Sequence, residues 1–145
     1  MIKRSEMQKI ASEYTDPKIG VLGSHSALEI MDGAKDEDFE TMVFCQKGRE
    51  TPYQRFSRIA DQIKIVKKFK DMASPANQKM MKDENTIIVP HRSLTAYLGY
   101  DVLENKLKVP IFGNRKLFQA EERTAKKGQY YLLEKARIKY PKLFK

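Results

Sequence analysis

Apolar positions along the chain follow two alternating periods, and the switches between them mark out the elements. Met7, Ile10, Ala11 and Tyr14 stand at i, i+3, i+4 and i+7, an amphipathic helix within the first fifteen residues that Asp16-Pro17 ends. Lys18 to Leu22 reads as a short buried strand. Ala27, Ile30, Met31 and Ala34 return to helical spacing, with Asp32-Gly33 expected to close that helix. Thr41 to Cys45 is a second strand, Thr51 to Ala60 a short helix, and Gln62 to Val66 a third strand in which Ile63 and Ile65 alternate. Lys67 to Met81 is helical with a break at Ser74-Pro75, because proline cannot continue a hydrogen-bonded turn. Thr86 to Val89 is an apolar, β-branched strand, and Lys108 to Phe112 a short fifth one before Gly113. Asn114 to Ala136 reads as one or two helices interrupted near Gly128.

Strands alternating with helices at these intervals call for βαβ units and a parallel sheet of four to five strands, covered by helices on both faces. The expected architecture is a small Rossmann-like α/β domain over residues 1–123, followed by a basic C-terminal segment over 124–145. No internal repeat interrupts that order.

Composition narrows the class. With 145 residues, 41% hydrophobic and 32% charged, the chain is a globular domain and not a disordered one. No run of about 18 apolar residues occurs, and the start, Met-Ile-Lys-Arg-Ser-Glu, turns polar too early for a signal peptide, so a cytoplasmic location is expected. The single cysteine, Cys45, excludes an intrachain disulfide and is placed in the core; with His25 and His91 as the only histidines, no metal site is expected. The net charge of +9 is concentrated at one end: from Asn114 onward ten basic residues face three acidic ones, a net +7. That distribution argues against a uniform nucleic-acid-binding face and fits a solvated helix face or a docking segment better.

In open parallel sheets ligands bind beyond the carboxyl ends of the strands, so the strand-to-helix turns hold the candidate chemistry. After the first strand, Gly23, Ser24 and His25 precede Ser26 and Glu29, which fit a capping box starting a helix at Ala27. Such a turn suits an anion equally as well as a plain capped helix. After the second strand, Lys47 and Arg49 flank Gly48 ahead of a second capping pattern, Thr51-Pro52 with Gln54; they suit phosphate or carboxylate, or serve as solvated loop charges. After the fourth, His91 stands at the strand mouth with Arg92 beside it, and Ser93 is placed as the N-cap. After the fifth, Asn114 is placed as a cap, with Arg115 in the first helical turn where a cation opposes the helix dipole. No Walker loop, nucleophile elbow or full dinucleotide fingerprint occurs. These residues alone support binding of a small anionic ligand at strand ends.

Taken in order, Leu22-Gly23-Ser24-His25-Ser26, Lys47-Gly48-Arg49 with Pro52-Tyr53 and Arg55-Phe56, Val89-Pro90-His91 with Ser93 and Ala96-Tyr97, and Val109-Pro110 with Phe112-Gly113-Asn114-Arg115 carry a resemblance over nearly the whole chain. They resemble the N-terminal, pre-ATP-grasp domain of the archaeal-type formate-dependent 5-formaminoimidazole-4-carboxamide ribonucleotide synthetases, of the ATP-grasp superfamily. The resemblance implies a ligase of purine biosynthesis that uses ATP, magnesium and formate to formylate 5-aminoimidazole-4-carboxamide ribonucleotide (AICAR) through formyl phosphate. It implies AICAR-binding roles for His25 and Ser93, with Gly23, Ser24, Lys47, Arg49, His91, Arg92 and Asn114 as neighbours. The family usually carries glycine at the position of Arg92, and an arginine and a tryptophan are missing from Leu117-Phe118-Gln119-Ala120. The chain stops where the family continues into its ATP-grasp domain, so neither ATP nor magnesium is expected to bind this polypeptide alone, and it is not expected to be a complete ligase. Tyr140, Leu143 and Phe144 suit docking to such a domain or subunit, and a homo-oligomer is compatible with the resemblance. Two other readings stand beside it: a non-catalytic binding or regulatory module for a phosphorylated metabolite, and a nucleic-acid-binding protein built on the basic tail.

Overall fold

The computed structural model describes residues 1–120 and 125–141. Contacts divide the chain into two compact units, Met1–Gly113 and Asn114–Lys145. In the first, strands β1 (Lys18–Leu22), β2 (Thr41–Gln46), β3 (Gln62–Val66) and β4 (Thr86–Ile88) alternate with helices α1 (Arg4–Ser12), α2 (Ala27–Asp36), α3 (Thr51–Arg55), α4 (Pro75–Asp83) and α5 (Arg92–Leu98). All strand pairs are parallel, in the order β3-β2-β1-β4. The first two connections step outward from β1 on one side, and the third returns to its other side. The direction of winding therefore reverses between β1 and β4.

That reversal puts helices on both faces. Ile19, Val21, Val43, Cys45 and Ile63 share one face and pack with Ala27, Met31, Tyr53, Ile59 and Ala60. The other presents Leu22, Met42, Phe44 and Ile88, all fully buried together with Met72 and Met81. Cys45 lies in the core, as expected of a lone apolar-strand cysteine.

The expected fifth strand shrinks to a single parallel bridge, Ile88 to Ile111, with Ile88 N–H donating to the Pro110 carbonyl and Phe112 N–H to the Ile88 carbonyl. Two prolines near that pairing, Pro90 and Pro110, each lack an N–H to extend it. Helix α2 runs through Asp32-Gly33 to Asp36 instead of closing there: open space surrounds Gly33, and buried Met31 and Ala34 hold the next turn on the core. Helix α3 ends at Arg55 and not at Ala60, because the chain turns after Phe56 and drops both Ile59 and Ala60 into the core. The break at Ser74-Pro75 is present. A 3-10 turn (Phe69–Ala73) gives way to α4, whose first turn is capped by the Ser74 hydroxyl accepting from Asn77 N–H at 3.3 Å.

In the second unit a short 3-10 turn (Arg115–Leu117) and helix α6 (Gln129–Lys135) are described, with Gly128 at the helix start. Tyr140 donates to Glu134 at 2.5 Å and meets the Tyr130 ring edge-on at 5.0 Å. Leu143 and Phe144 lie outside the described residues. Among the described residues no helix is long and apolar enough to cross a membrane.

Two polar ties fix the amino ends of the strands. Thr41 is fully buried; its hydroxyl donates to the Ile59 carbonyl at 2.6 Å and its N–H to the Asp61 carboxylate at 2.8 Å. Glu84 accepts from Lys18 at 3.2 Å, Gln62 at 2.7 Å and Lys64 at 3.4 Å, joining α4 to both β1 and β3. Burial alone would raise both carboxyls, but these donors, with Lys35 on Asp61, outweigh it and lower them. A carboxyl lowered in the folded state adds stability that is complete above the ordinary carboxylate range. That stability is lost as pH falls through the lower folded-state value. Urea unfolding across the acid range is expected to show a steep loss of stability that Asp61→Asn and Glu84→Gln each flatten; an unchanged slope in both variants would remove these carboxyls as its source.

Gly20 sits at the centre of β1, where an added Cβ would lie 2.5 Å from Thr86 Cγ2 and 2.7 Å from Ile88 Cδ1. Gly20→Ala is expected to destabilise the fold by about 1–3 kcal/mol, the usual cost of overpacking, read as a lower urea midpoint at constant slope.

Candidate functional site

The carboxyl ends of β1 and β4, at the reversal of winding, bring together the turns singled out in the sequence. Gly23 opens the β1–α2 turn. Its N–H donates to the Phe44 carbonyl at 2.8 Å, and a Cβ there would stand 3.0 Å from that oxygen and 3.1 Å from the Tyr53 ring. Any side chain there would force the Phe44 carbonyl or the Tyr53 ring to give way, so glycine suits a turn lying this close to β2. Ser24 N–H then donates to the Leu22 carbonyl at 2.8 Å, and the Ser24 carbonyl accepts from Ala27 N–H at 3.1 Å. Helix α2 starts at Ala27 as expected, but the Ser26 side chain makes no capping bond; the Ser24 backbone performs that role. His25 is exposed, with φ of +45°, a left-handed conformation that costs an L residue roughly 1 kcal/mol.

From β4, Pro90 leads to His91 in an extended conformation at the N-cap of α5. The His91 Nε2 lies 2.9 Å from the Leu22 carbonyl, tying the mouth of β4 to the mouth of β1. A carbonyl only accepts, so Nε2 carries the proton and Nδ1 holds the lone pair. Nδ1 is buried and makes no hydrogen bond. Burial lowers the pKa of His91, the Leu22 carbonyl opposes that shift, and the nearby His25 adds to it, which places the two histidines within electrostatic reach. Ser93 is the second residue of α5 and buried, not the N-cap expected from the sequence: His91, pinned by Leu22, takes that position and starts the helix two residues early. Arg92, the first helical residue, is exposed.

The β2–α3 turn supplies Lys47 and Arg49, both exposed, around Gly48 at φ of +88°. Glu50 is the N-cap of α3 and Thr51 its first helical residue, so the Thr51–Gln54 capping pattern does not form; Pro52 still sits inside the first turn, where its missing N–H costs nothing. Arg49 Nη1 donates to the Tyr97 hydroxyl at 3.4 Å, and its guanidinium lies 5.8 Å from the Phe69 ring centre. Phe69 and Tyr97 are in contact, their centres 4.5 Å apart. Neither aromatic had drawn attention as a site residue, although Tyr97 lies four positions after Ser93, one helical turn along the same face of α5.

Asn114 belongs to the second unit. There its side chain accepts from Lys116 N–H at 3.0 Å, a cap as expected. The first unit thus assembles Gly23, Ser24, His25, Arg49, His91 and Ser93 around the strand mouths, with Lys47 and Arg92 exposed on the same turns. Among the described residues no group of His, Cys, Asp or Glu is arranged to hold a metal ion. The arrangement offers a histidine in strained backbone, a neutral histidine, hydroxyls and an arginine: hydrogen-bonding and anion-recognising groups rather than a nucleophile with its base.

The depressed pKa of His91 has a consequence for stability. Above the ordinary histidine value of about 6.5 both folded and unfolded chains hold it neutral; below that, the unfolded chain takes up the proton first and stability falls. An NMR titration of the ring is expected to give a His91 midpoint below 6.5, and a midpoint above 6.5 would refute the buried neutral tautomer.

Comparison with known proteins gives this site its relatives. A family profile described as "Protein of unknown function (DUF1246)" matches residues 19–144. The 5-formaminoimidazole-4-carboxamide-1-(beta)-D-ribofuranosyl 5'-monophosphate synthetase of Methanopyrus kandleri is 43% identical over 146 residues, covering 99% of this chain and 40% of that protein. The synthetase of the same name from Methanothermobacter thermautotrophicus is 44% identical, covering 97% of this chain and 38% of its own length. The crystal structure of an IMP biosynthesis protein PurP from Thermococcus kodakaraensis superposes with a TM-score of 0.67 at 28% identity, over 88% of this chain and 39% of that one. The chain therefore spans about 40% of the length of the curated relatives it matches, and the resemblance drawn from its four turns is borne out: it belongs to the DUF1246 family.

Proposed function

We propose that this chain binds AICAR at the mouths of β1 and β4, as the N-terminal substrate-binding part of an ATP- and formate-dependent ligase in purine (IMP) biosynthesis. The observation that carries the reading is the 2.9 Å link from His91 to the Leu22 carbonyl. It joins two turns that together hold His25 and Ser93 where the sheet reverses its winding. Relatives named as synthetases of the formylated product support it from outside the site.

In this reading His25 bonds ribose or phosphate oxygens, and the Ser93 hydroxyl, with the turn amides beside it, cradles the ligand. Gly23 and Ser24 shape the turn, His91 holds it in place, and Lys47 and Arg49 supply positive charge. The reaction joins formate to the AICAR amine: ATP activates formate as formyl phosphate, the amine attacks its carbonyl carbon, and phosphate leaves. ATP and magnesium belong to an ATP-grasp module, as a further part of the protein or as a partner subunit, and a cytoplasmic location suits such a metabolic step. Arg92, where the family usually has glycine, stands at the rim and either narrows the site or adds a contact to the ligand.

Calorimetric titration with AICAR tests the proposal, with ATP as a parallel ligand. AICAR is expected to bind, with His25→Ala and Ser93→Ala each weakening it about 10-fold, and ATP is expected to give no response. Silence with AICAR from both the wild-type chain and Arg92→Gly would overturn the reading.

A further inference from the structure

Several described cations are neutralised by an acid, among them Lys18 by Glu40 and Glu84, Lys35 by Asp61, Arg58 by Asp32, and Lys64 by Glu84. Arg49 differs. Among the described residues no carboxylate forms an ion pair with it, yet it is held in place. Its turn is anchored by Lys47 N–H donating to the Val66 carbonyl at 2.8 Å and Arg49 N–H to the Gln46 carbonyl at 2.9 Å. Its side chain rests on groups that carry no charge, the Phe69 face and the Tyr97 hydroxyl. A cation oriented by neutral groups keeps its full charge and most of its donors for an incoming anion.

The three residues come from three separate strand ends. Arg49 follows β2, Phe69 follows β3, and Tyr97 is on the helix that follows β4. The phenol thus meets the guanidinium with its own ring fixed on Phe69.

We infer that Tyr97, seated on Phe69 and hydrogen-bonded to Arg49, is a positioning residue that holds the Arg49 guanidinium as the phosphate-recognising group of the site. The inference rests on the AICAR reading above and assigns one end of that ligand: its phosphate lies toward the β2–α3 turn. Tyr97 does not itself need to touch the phosphate. It removes freedom that a long arginine side chain would otherwise give up on binding.

The test compares AICAR with its nucleoside, which lacks the phosphate, by calorimetry on the full chain. Tyr97→Phe keeps the ring contact with Phe69 and deletes only the hydroxyl. It is expected to weaken AICAR about 3- to 10-fold, and Arg49→Gln about 10-fold or more, with no change in nucleoside affinity for either. Because Tyr97 acts through Arg49, the double variant is expected to be no weaker than Arg49→Gln alone; this non-additivity decides where the nucleoside binds too weakly to titrate. Equal losses for nucleoside and nucleotide, or additive losses in the double variant, would overturn the positioning role. AICAR binding untouched by Arg49→Gln would overturn this inference while leaving the AICAR reading intact. Failure of the wild-type chain to bind AICAR would instead remove that reading, and this inference with it.

Discussion

Close approach at β1 is the constraint on which the rest of the first unit depends. This strand is central, paired with β2 on one side and β4 on the other. Gly20 faces Thr86 and Ile88 at distances that leave no room for a Cβ, and Gly23 brings the following turn against the Phe44 carbonyl and the Tyr53 ring. With side chains at either position β4 would be pushed outward or the turn lifted away from β2. The two glycines let three strands and a turn share one closely packed centre, from which both helical layers and both histidine-bearing turns are placed.

The site is built on that centre by a change in character along each strand. Val21 and Leu22, or Phe44 and Cys45, are fully buried, whereas from Ser24 and from Gln46 onward the turns beyond them are polar and partly or fully exposed. A rigid apolar platform therefore ends in backbone carbonyls and amides that need partners. His91 satisfies one of them, the Leu22 carbonyl, and is kept neutral by its burial as it does so. His25 is placed in left-handed backbone by a turn whose neighbours, Ser24 and Ala27, are already bonded. The polar ties at Asp61 and Glu84 lie at the opposite, amino ends of the strands. They fix the register of the sheet without occupying the mouths where a ligand would enter.

The second unit has a different make-up. It carries most of the chain's net positive charge and a small cluster of its own, Tyr130, Glu134 and Tyr140. Part of the docking surface expected of Tyr140 is thus already engaged within that unit.

The sequence by itself determined the α/β class, the four strands and the break at Ser74-Pro75, because period-two and helical spacing are local and proline and glycine punctuate them locally. It also located the turns that carry His25, Arg49 and His91, since each follows directly on an apolar strand segment and precedes a helical one. Three expected details depended on geometry that no local spacing encodes. Ser93 is not a cap because His91 is pulled onto a carbonyl 69 residues earlier in the chain. Helix α3 is short because Ile59 and Ala60 are drawn into a core assembled from β1, β2 and α2. The fifth strand is one bridge because prolines deprive its pairing with β4 of donors. Above all, only the tertiary structure decided that Phe69 and Tyr97, 28 positions apart, meet beneath Arg49. Aromatic residues of a mostly buried pattern read as packing in a sequence, and their second use appears once the crossover from β3 to β4 has brought the strand ends together.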